Sequence, residues 1–244
     1  MRFPVLPLLL WFVCLGALGA LDFHEIHGDL TFKPEYHRSF GFCREFAAAG
    51  ESLIGDSVGL QGGLALGRTG EEFDLDIFLG ASYLLPLPVN LRVRFLYIYN
   101  TIPAYTYQTN TLFPLLSFQG KWGGAEMGFA FRFTVFDSDP SSIFEPILGG
   151  RFFLNFPFIE KVKLSLGFGN FSAFNMGNLG AYFLFLESRV DINRLRSLEK
   201  LREKWRGVPL VSLISNLEFY QTGSIGFSAA FQGFAWQGGV RLSW

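Results

Sequence analysis

Period two dominates this chain. Apolar side chains alternate with polar or small ones over segments of about ten residues, and turn clusters separate the segments. In an extended strand successive side chains project to opposite faces, so each segment carries one apolar face and one of different character. The clearest run leads from Val89 to Asn100: Val89, Leu91, Val93, Phe95, Tyr97 and Tyr99 share one face, and Asn90, Arg92 and Arg94 share the other. Earlier, Ile26, Leu30, Phe32 and Tyr36 alternate with His27, Asp29, Thr31 and Lys33, and Phe73, Leu75, Ile77, Leu79 and Tyr83 with Asp74, Asp76 and Ser82. Later, Met127, Phe129, Phe131, Phe133 and Val135 alternate with Glu126, Gly128, Ala130, Arg132 and Thr134. Two more runs set Leu148, Phe152, Leu154 and Phe156 against Arg151 and Asn155, and Val162, Leu164, Leu166 and Phe168 against Lys161, Lys163 and Ser165.

A soluble β-sandwich also alternates, but its apolar faces share one core and its outer faces are well charged. Here the apolar faces are long, rich in Phe and present in nearly every strand. Half of the residues are apolar and only 17% are charged, against roughly a quarter charged in soluble domains. The pattern predicts an all-β fold, a closed antiparallel transmembrane β-barrel with the apolar rows facing lipid. Strands in lipid must close on themselves to satisfy every backbone N–H and C=O. A soluble lipocalin-like barrel is the outside alternative.

The first twenty residues read as an address. Arg2 gives a short positive region, residues 3–18 are almost wholly apolar, and Ala17-Leu18-Gly19 offers small residues for cleavage after Gly19, with Ala20 a close second. The expected division is 1–20 signal peptide and 21–244 barrel. An uncleaved anchor is the competing reading, disfavoured by that small-residue end and by the polar residues that follow it. Cys14 lacks the small residue that a lipoprotein signal needs before its cysteine. Cys43 would then be the one thiol of the mature chain, a plain strand or loop cysteine.

At the other end, Trp236, Val240, Leu242 and Trp244 fall on one face, with Gly238 between them. This segment resembles the C-terminal assembly signal of bacterial outer-membrane β-barrel proteins. The resemblance implies that the terminal aromatic is read by the barrel-assembly machinery and that the partner around the barrel is outer-membrane lipid. It specifies a class and no finer family.

Twelve strands are expected, over 23–35, 40–48, 57–67, 72–84, 89–100, 110–121, 124–136, 144–156, 161–173, 177–187, 209–221 and 224–244; ten is the alternative if 40–48 is a loop. The last segment changes phase between Phe231 and Phe234, which a bulge or an extra hairpin would explain. An even number brings both ends to the periplasm. Residues 85–88, 120–124 and 156–160 would be periplasmic turns, and 100–110 and 137–142 external loops. Trp122, Phe156, Phe158, Tyr97, Tyr99, Tyr105 and Tyr107 sit near strand ends, where aromatic girdles belong. From Glu187 to Arg206, apolar residues at spacings of three and four with crowded charges predict an amphipathic helix near 188–206, capping the barrel mouth or lying on headgroups.

Little in the chain suggests chemistry. Net charge is −1, which gives no case for nucleic acid. His24 and His27 would point to opposite strand faces, a poor metal site. His37-Arg38-Ser39 puts a histidine and a serine on one strand face, as outer-membrane lipid hydrolases do, but no third group orients the base. There is no phosphate-binding loop, cysteine cluster or dinucleotide fingerprint, so a non-enzymatic barrel without cofactor or metal is expected. Strand glycines at 60–67 and 166–169 would relieve crowding on a curved wall.

The polar faces place Asp29, Asp74, Asp76, Arg92, Arg94, Glu126, Arg132, Arg151 and Lys163 as candidates to line a lumen. Opposite charges could pair into a closed plug or line a water-filled pore. The function expected is therefore an outer-membrane channel for small solutes or hydrophobic compounds. A non-conducting structural or surface-binding barrel is the second reading, and a lipid hydrolase the third.

Overall fold

The computed structural model describes residues 23–37, 41–69, 72–102, 107–136, 139–159, 162–171, 182–192, 210–222 and 230–243. The leader, the His37-Arg38-Ser39 triplet beyond His37, and Trp244 lie outside these residues.

Twelve strands form: β1 (Phe23–His37), β2 (Gly41–Ile54), β3 (Val58–Thr69), β4 (Glu72–Leu84), β5 (Leu91–Ile102), β6 (Tyr107–Gly120), β7 (Gly123–Phe136), β8 (Asp139–Ile159), β9 (Val162–Gly169), β10 (Tyr182–Asp191), β11 (Leu210–Thr222) and β12 (Ala230–Ser243). Each pairs antiparallel with the next, and β1 pairs with β12, so the sheet is a closed barrel. At the seam His27 lies opposite Ser243, and Phe32 opposite Gly238. The start of β1 and the end of β12 therefore share one rim, here the terminal end, with the β2–β3, β4–β5, β6–β7, β8–β9 and β10–β11 connections; the far end carries the others.

Adjacent residues show which face is which. Phe95 is 61% exposed and Leu96 2%; Phe129 is 58% exposed and Ala130 0%. The apolar rows anticipated on β4, β5, β7, β8 and β9 thus stand on the outer surface, with Phe73, Leu79, Tyr83, Leu148, Phe152, Leu154, Leu166 and Phe168. Among the described residues no helix is long and apolar enough to cross a membrane. Trp122 stands exposed in the β6–β7 turn with the Lys121 ammonium 5.2 Å from its ring, and Tyr97 donates from the outer face to Asn110 Oδ1 at 2.6 Å.

Several boundaries differ from the sequence pattern. β2 is a full strand, longer than 40–48, because its second half, Ala47-Ala48-Ala49-Gly50, is too uniform to show alternation. Residues expected in external loops at 100–110 and 137–142 are largely strand, belonging to β5, β6 and β8. The phase change near the C-terminus is a bulge: Tyr220 pairs with Gly233 but Gln221 pairs with Phe231, leaving Gln232 unmatched. The helix expected near 188–206 is corrected at its start, since Ser188 to Asp191 belong to β10 and pair with β11; residues 193–206 lie outside the described residues. The charges there crowd because Glu187, Arg189 and Asp191 share one strand face, at period two.

One strand carries a proline at mid-height. The β6–β7 ladder pairs Leu112 with Phe131 and Leu115 with Gly128 but skips Phe113 and Pro114. Proline has no N–H to offer. On the outer surface a groove of about 540 Å³ runs beside it, walled by Leu79, Phe95, Tyr97, Leu112 and Phe131.

Candidate functional site: the barrel interior

Along β5, from the terminal end, the inward residues read Arg92, Arg94, Leu96, Ile98, Asn100; along β7 they read Glu126, Gly128, Ala130, Arg132, Thr134. On these strands charge gives way to apolar or small groups and then to polar ones. β11 departs from that order: buried Asn216 and Glu218 follow Ile214, and Glu218 lies opposite Phe185 and Ala235 in the sheet.

The layer nearest the terminal end is an ionic ladder that crosses strands. Arg94 of β5 donates from Nη2 to Gln61 Oε1 of β3 at 2.9 Å and from Nη1 to the Glu126 carboxylate of β7. Gly80, on the intervening β4, leaves the space: a Cβ there would lie 2.6 Å from Gln61 Nε2. Ser117 Oγ also donates to Glu126 Oε1, at 3.0 Å. Arg151 of β8 stands 3.7 Å from Glu126 Oε2 and donates to Glu187 of β10. Its guanidinium lies 4.4 Å from the Phe185 ring centre and 5.1 Å from that of Phe153, within cation–π range. Arg151 therefore joins the ionic layer to the apolar one.

The ladder continues on the remaining strands. Asn216 Nδ2 donates to Glu218 Oε1 at 2.7 Å. Arg189 Nε reaches Asp191 Oδ1 and Ser212 Oγ at 3.2 and 3.1 Å, and Ser212 Oγ donates to Asp191 Oδ1 at 2.7 Å. Across the seam Arg241 holds Asp29 with two hydrogen bonds, Nε to Oδ1 at 2.7 Å and Nη2 to Oδ2 at 2.5 Å. Gln237 Nε2 donates to Thr31 Oγ1 at 2.8 Å. Asp29, Glu126, Glu187 and Glu218 are offset by Arg94, Arg151 and Arg241, so no strong field of one sign arises.

Apolar side chains gather in two clusters. Leu96, Ile98, Phe113, Leu115, Ala130 and Phe171 form one buried cluster, with Phe78 and Ile147 packed against it; Phe183, Phe185 and Ala235 form a second, with Phe153. The far layer is polar again. Asn100 Nδ2 donates to Asp74 Oδ1 at 3.1 Å and to the Asp76 carboxylate, Thr109, Thr111 and Thr134 are buried, and Arg132 sits between Thr111 and Glu145 in the sheet.

Of the candidates from sequence, Arg94, Glu126 and Arg151 meet in the ladder, Asp29 meets Arg241 at the seam, and Asp74 and Asp76 share Asn100. Arg92, towards the terminal end of β5, and the exposed Lys163 of β9 share the inner phase but meet none of these groups. Trp236 stands on the outer surface, in phase with Val240 and Leu242. Sequence reasoning missed Gln61, Glu187, Arg189, Glu218 and Arg241. Arg241 was legible, since it alternates with Val240 and Leu242; Glu187 and Arg189 were hidden by the helical spacing of their neighbours. Among the described residues no group of His, Cys, Asp and Glu could hold a metal ion.

No protein-family model matches the chain, and no curated protein matches it. Solved structures do. The chain is similar to the NanC porin (8% identity, TM-score 0.55, covering 87% of this chain and 98% of that one). It is similar to the KdgM porin, described in complex with disordered oligogalacturonate (7%, 0.52, 88% and 99%). It also resembles an outer-membrane channel from Pseudomonas putida F1 (8%, 0.54, 92% and 97%). At such identities the likeness is one of fold: the chain folds as a bacterial outer-membrane β-barrel, a closed antiparallel barrel of twelve strands.

Proposed function

We propose that this protein is an integral outer-membrane barrel acting as a channel for small solutes. The observation that carries the reading is the polar interior, in which charged and amide side chains form vestibules on either side of an apolar belt carried by β5 to β8 and β10. The fold shared with two porins and an outer-membrane channel supports the same reading. The apolar middle favours uncharged or apolar small solutes over ions, because a charged solute sheds its water there at high cost. Paired charges of both signs give the vestibules no strong preference for anions or cations.

In this reading residues 1–20 are a cleaved leader, Trp236, Val240, Leu242 and Trp244 are presented to the barrel-assembly machinery, the surrounding partner is outer-membrane lipid, and the barrel performs no catalysis. Planar-bilayer recording of the refolded protein tests it: discrete conductance steps above the protein-free bilayer are expected, and a silent bilayer at saturating incorporation ends it. A second reading, a barrel that passes nothing, is favoured by one observation. Phe113, Phe171, Phe183 and Phe185 are each 1% exposed, so the apolar belt is packed as tightly as a soluble core. The same recording separates the two.

A further inference from the structure

β9 has eight residues, whereas its neighbour β8 has 21. Their last shared pair towards the far end is Arg151 with Gly169, and β8 continues beyond it. At that point Asn170 takes the place of a strand residue. Its main-chain N–H donates to Gly150 O at 3.0 Å. Its side chain accepts from Gly150 N at 2.8 Å and donates to Leu148 O at 2.7 Å. Three hydrogen bonds thus fasten one residue to the edge of β8, with the Asn170 side chain 1% exposed overall.

Phe171 follows at once and turns into the apolar layer. Its ring meets the Phe113 ring edge-on, 5.1 Å between centres at 88°, the geometry that aromatic quadrupoles favour. Phe113 is fixed by β6. Phe171 belongs to no strand, so its position depends on the Asn170 fastening and on packing. The other aromatics of the two inner clusters, Phe113, Phe183 and Phe185 with Phe78 and Phe153 packed against them, are carried by strands whose backbones the ladder holds.

We propose that Phe171, positioned by Asn170, is the pore-narrowing residue of this barrel, packing against Phe113 and restricting the passage of hydrated ions to a small conductance. The proposal rests on the channel reading and adds which residues set its selectivity. Asn170 is a positioning residue; it touches no solute and acts by holding the ring. Water withdraws from narrow apolar constrictions, and ions cross them slowly without it. Removing the ring, or freeing it, lets the layer wet.

The test compares the full chain with Phe171→Ala and Asn170→Ala in planar bilayers, folding being checked by the heat-dependent shift of the barrel on gels. Both variants are expected to raise potassium chloride conductance severalfold over wild type. Should Phe171→Ala fail to fold, Asn170→Ala, which keeps both rings, carries the test. A second readout is independent of conductance: Ala130→Cys, in the same buried cluster as Phe171 and keeping both rings, with Cys14 and Cys43 replaced by Ser, labelled by a water-soluble thiol reagent. Slow labelling that accelerates when Asn170→Ala is added supports the latch. Wild-type conductance unchanged in both variants overturns the proposal and leaves the channel reading standing. Silence in wild type and variants alike, with latch-dependent labelling, brings down the channel reading and the selectivity role together. Fast labelling regardless of Asn170 overturns the packed layer itself.

Discussion

Phe113 reaches inward from β6, and its ring lies against Gly149 on β8, where any Cβ would overlap it. The same fit recurs between direct cross-strand partners: Gly63 of β3 receives Phe78 of β4, Gly124 of β7 receives Phe153 of β8, and Gly167 of β9 receives Phe185 of β10. These four inner glycines are thus recesses that each receive one ring, and in this way the barrel accommodates phenylalanine in its interior. At Gly149 the obstruction is made by the Phe113 ring alone, so the fit can be tested cleanly. Gly149→Ala is expected to destabilise the barrel by about 2 kcal/mol through overpacking. Combining it with Phe113→Ala should cost less than the sum of the single changes by about 1 kcal/mol, read from denaturant unfolding in lipid vesicles. Additive costs would show that the ring has room elsewhere. In the sequence, strand glycines at 60–67 and 166–169 signalled relief of crowding. Which ring each would receive was not legible, because that depends on register between strands rather than on spacing within one.

The strands at the seam carry a two-pronged polar contact. Asp29 and Arg241 are direct partners in the β1–β12 ladder and form a two-pronged ion pair with Asp29 10% and Arg241 26% exposed. Leaving one charge of such a pair without its partner is worth several kcal/mol. Asp29→Ala is expected to lower stability by about 3 kcal/mol and to lower the temperature at which the folded gel band converts to the unfolded one. Asp29→Ala combined with Arg241→Met should recover part of that loss, since no buried charge then stands alone. An unchanged conversion temperature in Asp29→Ala would show that the seam is held by its backbone ladder only. The elements themselves were legible wherever the two faces differ in kind, as on β5 and β7. They were blurred where both faces are small, as in the second half of β2. At β10 the error was one of period, because Val190 and neighbouring apolar residues fit helical spacing while Glu187, Arg189 and Asp191 obey the strand's.

The orientation of the whole sheet, hydrocarbon outside and polar groups within, followed from alternation and low charge, and the exposed Phe95 and Phe129 beside buried Leu96 and Ala130 bear it out. What alternation could not convey is that the inner phase is itself layered on β5 and β6, since Leu96, Ile98, Phe113 and Leu115 fall on the inner faces and read locally as breaks in the pattern. The lipid-facing surface gives its own test. Phe129→Arg, on the outer surface of β7, is expected to cost about 2–4 kcal/mol of stability in vesicles. Trp122→Arg, in the turn at the rim, should cost about 1 kcal/mol or less. Equal costs would mean that Phe129 does not face the bilayer interior. Closure of β1 on β12 has one more consequence, for the order of events. The Asp29–Arg241 contact joins residues 212 apart, so the first strand must wait for almost the entire chain to be made before it finds its mate. Until then both open borders of the sheet are templates for indiscriminate pairing. A chain shortened by its final strand is therefore expected to be lost to proteolysis rather than to accumulate as a smaller barrel, which pulse-chase labelling would show.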